Sequence, residues 1–257
     1  MTANSPVNPA AEKSDEMPFV EHLRELRTYV WWSVVGIFVA TIISFLWSNW
    51  LFAALTAPIR GYFDNVQLIG TGPADAFITK IMVALFSGVI LSAPNTFYQL
   101  WKFIVPGLHD HEKKLALPFV LASSFFFLVG VSFCFFVVFP FAFQFFSAEF
   151  ISIGLSPQIR ISEYLSFVVQ LILIFGVMFE LPVFAFLLGR LGIITHDQIK
   201  KHFRIAVVII FVIAAIVTPP DVITQLLLAI PLCGLYWSCI YVCRYAERLR
   251  EESKTVL

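Results

Sequence analysis

Six stretches of this chain run for 16 to 34 residues with almost no charge, and that pattern decides the solvent the chain folds in. The stretches are 28–59, 81–101, 115–148, 164–189, 205–220 and 222–243; Glu180 is the one charge inside them. A helix needs about 20 apolar residues to cross roughly 30 Å of hydrocarbon. Unbroken runs of this length point to membrane-spanning helices; a barrel would show short alternating segments. Composition agrees: 59% of residues are hydrophobic and 13% are charged, against about 25% charged in soluble domains.

The first and third stretches exceed one span, so their ends are expected to leave the membrane. "TAPIRGYF" and "SAEFISIGLSPQIR" carry the turn residues that would end them. The fifth is short. Only 205–217 is apolar before "TPPD", about 20 Å of helix, and two prolines oppose continuation into the next run. The distribution of Lys and Arg settles whether it spans. With six spans and both termini on the cytoplasmic side, fourteen of the 17 cations lie inside; only Arg60, Lys80 and Arg160 lie outside. A non-spanning fifth segment would move the four tail cations outside. The expected fold is therefore an all-α integral membrane protein of six transmembrane helices, with spans near 29–51, 77–101, 117–145, 164–189, 205–218 and 222–243. Residues 1–17 are expected to form a disordered cytoplasmic tail and 246–257 a second cytoplasmic tail around the membrane domain 18–245. "MTANSPVNPAAEKSDE" lacks the basic and apolar regions of a cleaved signal peptide.

Before the first span, Phe19, Leu23, Leu26 and Val30 recur at helical spacing, with Glu21, His22, Arg24, Glu25 and Arg27 on the other side. This predicts an amphipathic helix lying in the interface before it turns into the membrane. Pattern alone favours the blander reading, a simple anchor for the first span.

Catalytic chemistry finds no foothold. The five histidines all fall in predicted cytoplasmic segments, and His109 and His111, flanking Asp110, make a weak metal pair. Cys134, Cys233, Cys239 and Cys243 lie in apolar runs and read as small core residues. There is no Gly-rich phosphate loop and no nucleophile elbow. No catalytic residue, metal or cofactor is assigned, and zero net charge offers no argument for nucleic acid.

Glu180, in "FGVMFELPVF", is the residue that needs a reason. A carboxylate at mid-membrane costs on the order of 2.5–3.5 kcal/mol. It either meets a substrate, a partner helix or a proton, or it is a neutralised carboxyl that orders the bundle. The cost favours function. Pro182 loosens the helix beside it. A proton-coupled small-solute transporter built on Glu180 is one class this allows; no second ionisable residue near the midplane completes a relay. The loop "YQLWKFIVPGLHDHEKKLALP" places Trp101, Phe103 and Ile104 at the membrane edge, where aromatic residues anchor. Its Glu112 stands among cations and would suit an Arg-bearing peptide, though a solvated charge is the blander reading. Asp221 in "VTPPDVITQLLLAIP" stands where a carboxylate caps a helix. Thr218 and Gln225 add polar groups at the same membrane face.

In order along residues 19–245, "HLRELR", "SAPNTFYQLWKFIVPGLHDHEKK", "FFVVFPFAF", "SEYLSFV", "FGVMFELPV" and "TPPDVITQLLLAIP" resemble the TatC family, the polytopic subunit of the twin-arginine protein translocase. The resemblance implies a concave, cupped bundle of six spans, the last two short, in the bacterial cytoplasmic (inner) membrane. It implies a receptor for the Arg-Arg signal peptides of folded precursors, working with small single-span TatA- and TatB-type subunits and driven by the proton-motive force. It further implies self-association in a larger complex. On this sequence the signal-peptide positions are Glu25, Arg27, Phe103 and Glu112. Glu180 matches a glutamate that protrudes into the concave face. Thr218 and Gln225 match positions where the small subunits dock, and Pro94, Pro219, Pro220 and Asp221 take structural turn or cap roles. The chain departs from the family pattern at Phe135, where a related member carries Tyr, and at Lys102, a place that can be small.

Overall fold

The computed structural model describes residues 19–63, 66–104, 116–218 and 221–255. Almost all of them are helical. In chain order the elements are α1 (Phe19–Leu46), α2 (Ser48–Tyr62), β1 (Gln67–Ile69), α3 (Asp75–Ile104), α4 (Ala116–Phe133), a π-helical turn (Cys134–Val138), α5 (Phe139–Ser152), β2 (Gln158–Arg160), α6 (Ile161–Met178), α7 (Leu181–Leu191), α8 (His196–Lys201), α9 (Phe203–Val217) and α10 (Val222–Thr255). Five helical runs are long and apolar enough to cross a membrane: 24–46, 75–104, 117–152, 161–191 and 222–252. The fifth apolar stretch, now α9, is the shorter sixth helix, 15 residues or about 22 Å.

Several boundaries differ from the sequence expectation, each for a local reason. α1 runs unbroken from Phe19 to Leu46, so no turn separates an interfacial helix from the first span. Nothing between them breaks a helix, and Thr28 and Ser33 return their hydroxyls to the carbonyls of Arg24 and Tyr29. The surplus of the first apolar stretch is a second helix, not a loop: the chain bends at Trp47 and continues as α2 through "TAPIRGY". Pro58 sits inside α2 and removes only one backbone donor. The third run stays helical through the π turn, where the Phe139 amide donates to Cys134, five residues back. That wider turn precedes Pro140, which supplies no amide to the helix. The charged tail expected after 245 is helical to Thr255.

α6 is the centre of the bundle. Leu165, Val168, Leu171, Ile172 and Phe175 are fully buried, surrounded by side chains from α2, α3, the π turn, α5, α9 and α10. α1 is the peripheral span and packs almost wholly on α3. Glycine sets that approach: a Cβ on Gly88 would stand 2.7 Å from the backbone N and Cα of Thr41. At one end of the bundle the connections before α3 and before α6 meet as a short parallel ribbon, Gln67–Ile69 against Gln158–Arg160. Nearby, the Tyr164 hydroxyl donates to the Leu55 carbonyl at 2.6 Å and ties α6 to α2. Gly154 (φ +68°) and Gly192 (φ +73°) close α5 and α7, each allowing its own amide and the next one to turn back onto the helix end.

Candidate functional site

The end of α3 and the start of α1 build one surface. Consecutive residues on a helix diverge by about 100°, so Trp101, Lys102 and Phe103 face three ways. Trp101 turns inward. It is 2% exposed, stacks on Phe119 at 4.8 Å, and its indole N–H reaches the Ser123 hydroxyl at 3.5 Å. The expectation that Trp101 anchors at the membrane edge is therefore corrected: it is a core residue. Lys102 points out, with its ammonium 4.4 Å from the centre of the Tyr98 ring. Phe103 turns to α1 and meets Tyr29 edge-on, ring centroids 6.5 Å apart. Glu25 lies four residues before Tyr29 and so on the same helix face, one turn beyond that contact. It is half-buried, while Arg27 is exposed. Asn95 adds a donor to the Trp32 carbonyl at 3.4 Å. Of the four positions the sequence links to a signal peptide, the structure brings Glu25 and Phe103 onto neighbouring turns, with Arg27 close in sequence. Glu112 lies outside the described residues.

Glu180 sits where the fourth span breaks. α6 ends at Met178 and α7 begins at Leu181 with Pro182 in its first turn. The break is shallow, because the Phe184 amide still donates to the Glu180 carbonyl at 3.0 Å. The side chain is 3% exposed. The Ser123 hydroxyl and the Phe127 backbone of α4 stand beside it. Neither carboxylate oxygen completes a hydrogen bond among the described residues. Gly130 makes room for this approach, since a Cβ there would meet the Phe175 carbonyl oxygen at 2.6 Å.

The concave surface is a groove of about 920 Å³ between α1, α2, α3 and α4, floored in part by Ile172. Its walls are apolar apart from the hydroxyls of Ser44, Ser87 and Ser132, and they include Phe135 and Pro94. Pro94 lies inside α3 rather than at a turn. Glu180 does not line this groove. It approaches α4 through Ser123 and Phe127, while the groove touches α4 through Leu128, Val131 and Ser132.

The last turn of the bundle uses its polar groups internally. Asp221 accepts from the Thr224 amide at 2.7 Å and from its hydroxyl, capping α10. Thr218 is buried and donates to the Ala214 carbonyl at 2.8 Å. Gln225 donates to the Phe211 carbonyl at 3.0 Å and bridges α10 to α9. Pro219 and Pro220 lie outside the described residues. No cluster of His, Cys, Asp and Glu suited to a metal occurs among the described residues. Sequence reading missed Tyr29 and Ser123. Tyr29 was legible as the residue one turn after Glu25; Ser123 carried no signal, being one hydroxyl in an apolar run.

Residues 21–231 match the family model described as Sec-independent protein translocase protein (TatC). The chain is 41% identical to the Sec-independent protein translocase protein TatC of Desulforapulum autotrophicum, over 88% of this chain and 84% of that protein. It is 36% identical to the TatC of Aquifex aeolicus, over 92% of this chain and 98% of that one. A crystal structure of the twin arginine translocase receptor TatC superposes with a TM-score of 0.81 at 36% identity, covering 88% of this chain and 99% of the other.

Proposed function

From the premise that this chain belongs to the TatC family of Sec-independent protein translocase proteins, we propose that it is the receptor that captures the Arg-Arg signal peptide of folded precursors at its cytoplasmic face. The family makes it a multi-pass, non-enzymatic component of protein translocation. The observation that carries the finer reading is the contact between Tyr29 and Phe103. It holds the turn bearing Glu25 against the end of the helix that leads into the Glu112 loop. A carboxylate beside an aromatic edge suits a guanidinium, which pairs in bidentate fashion and stacks through its plane.

Glu25 and Glu112 then take the two arginines, Phe103 shapes the floor between them, and Arg27 orients the approach. The apolar part of the signal peptide enters along the groove. Single-span TatA- and TatB-type subunits dock near Thr218 and Gln225, and the proton-motive force drives passage across the bacterial inner membrane. Both termini lie in the cytoplasm, as the Lys and Arg distribution supports, and copies of the chain associate in the working complex. Glu180, buried beside the groove, is a polar element that a partner or cargo reaches only when α4 and the α6–α7 break move apart.

The test is site-specific photo-cross-linking from positions 25, 103 and 180 to a twin-arginine precursor. Strong adducts from 25 and 103 with no partner subunit present, and from 180 only with partners, are expected. No adduct from 25 or 103 would refute the assignment.

A further inference from the structure

At the Lys- and Arg-rich end of the bundle, α8 folds against α10 and encloses a cavity of about 310 Å³. The geometry is held from both sides. Thr195 and Gln198 form a reciprocal cap at the start of α8. Glu247 of α10 accepts from the His196 amide at 2.8 Å and pairs with its ring at 2.5 Å. Tyr236 donates to the Ile199 carbonyl at 3.1 Å. The walls of the cavity are therefore fixed before any ligand arrives.

Its chemistry is distinctive. Lys200 enters from α8 and Arg244 from α10. Both are exposed, and neither has an ion-pair partner among the described residues. Asp197 also lines the cavity, turned to the His196 ring at 3.4 Å. Two cations thus face one carboxylate that is already engaged. Trp237 and Tyr241, one turn apart on α10, meet edge-on at 5.2 Å and are more than half exposed. They occupy the last turns of an apolar run that ends at Cys243, and Arg244 is the first charge beyond it. That is the depth at which aromatic rings sit among headgroups. At about 30 Å³ per water, the volume holds roughly ten waters, enough for a phosphodiester headgroup.

We propose that this cavity binds the phosphate of an anionic phospholipid, with Lys200 and Arg244 on the phosphate oxygens and Trp237 and Tyr241 against the glycerol and upper acyl chain. Basic pockets between transmembrane helices are where such headgroups bind.

The test is native mass spectrometry of the whole chain, released from neutral detergent with phosphatidylglycerol and phosphatidylcholine in competition. The wild type should retain phosphatidylglycerol preferentially. In K200Q/R244Q that preference should fall roughly fivefold for each cation, about 25-fold in all. K200R/R244K should keep most of it, and R60Q/K80Q, at the opposite end, should keep all of it. Unchanged preference in K200Q/R244Q, or an equal loss in R60Q/K80Q, would overturn the site. Displacement of phosphatidylglycerol by inorganic phosphate alone would show a free-anion site and overturn the lipid assignment.

Discussion

Adding one methyl group at Gly88 should loosen the clasp between α1 and α3 that carries the proposed recognition surface. A Cβ at Gly88 would lie 2.7 Å from both the Cα and the N of Thr41. Carbon atoms prefer about 3.5–4.0 Å, so the two helices must part by about 1 Å. The Thr41 hydroxyl is also struck, but the two backbone atoms cannot be moved by any rotamer, so removing the hydroxyl leaves the clash. Overpacking of this kind costs about 1–3 kcal/mol, while Ala regains roughly 1 kcal/mol of helix preference over Gly. Gly88→Ala should therefore destabilise by up to about 2 kcal/mol in detergent thermal unfolding. It should also weaken signal-peptide binding by roughly two- to tenfold, the worth of an aromatic pair such as Tyr29–Phe103. Gly36 supplies the contrast. There the new Cβ meets only the side chain of Asn95, so Asn95→Ala should suppress Gly36→Ala, whereas Thr41→Ala should not suppress Gly88→Ala. Wild-type unfolding and wild-type peptide affinity in Gly88→Ala would refute the idea that this close crossing positions the site.

The remaining expectations concern single polar groups. Glu180→Leu should raise thermal stability by about 1–3 kcal/mol, because it removes a buried carboxyl without hydrogen bonds, while abolishing export; a loss of stability would mean the carboxyl is satisfied where it stands. Glu180→Gln should be milder than Glu180→Ala in export if hydrogen bonding is its role, and as damaging as Ala if it must change protonation. Asp221→Ala should cost about 0.5–2 kcal/mol through loss of the α10 cap, and Asp221→Ser should restore most of it, read by the same unfolding assay. Tyr164→Phe should cost about 0.5–1.5 kcal/mol, since the buried bond to the Leu55 carbonyl is lost; an unchanged midpoint would show that water replaces the hydroxyl.

Long-range solvent preference was legible in the sequence, and local geometry was not. Six apolar stretches and the Lys and Arg distribution lead directly to the spans, because both follow from transfer energies summed over many residues. The α1–α2 bend at Trp47 escaped notice because no Gly or Pro marks it. Conversely, Pro58 and Pro94 read as turns yet sit inside helices; in lipid, neighbouring groups absorb one lost backbone bond. In the sequence, residues beyond 245 read only as a cytoplasmic tail, since no apolar run marks them as part of the bundle. Ala246 is nonetheless fully buried, and the Arg250 guanidinium packs over Gly192, so tertiary contact holds it. Glu180 was picked out by its cost alone. That it faces Ser123 and Phe127 rather than the groove depends on the helix break and on Gly130, which only packing reveals.

On the proposed reading, paired carboxylates at one face of the bundle read two arginines. The measurement that tests this most directly is the affinity of an Arg-Arg signal peptide, and of its Lys-Lys counterpart, for the wild type and for E25K/E112K. The wild type should prefer Arg-Arg, since only a guanidinium pairs in bidentate fashion and stacks. The double reversal should abolish Arg-Arg binding and affect the weaker Lys-Lys binding less. Undiminished Arg-Arg binding by E25K/E112K would contradict that reading.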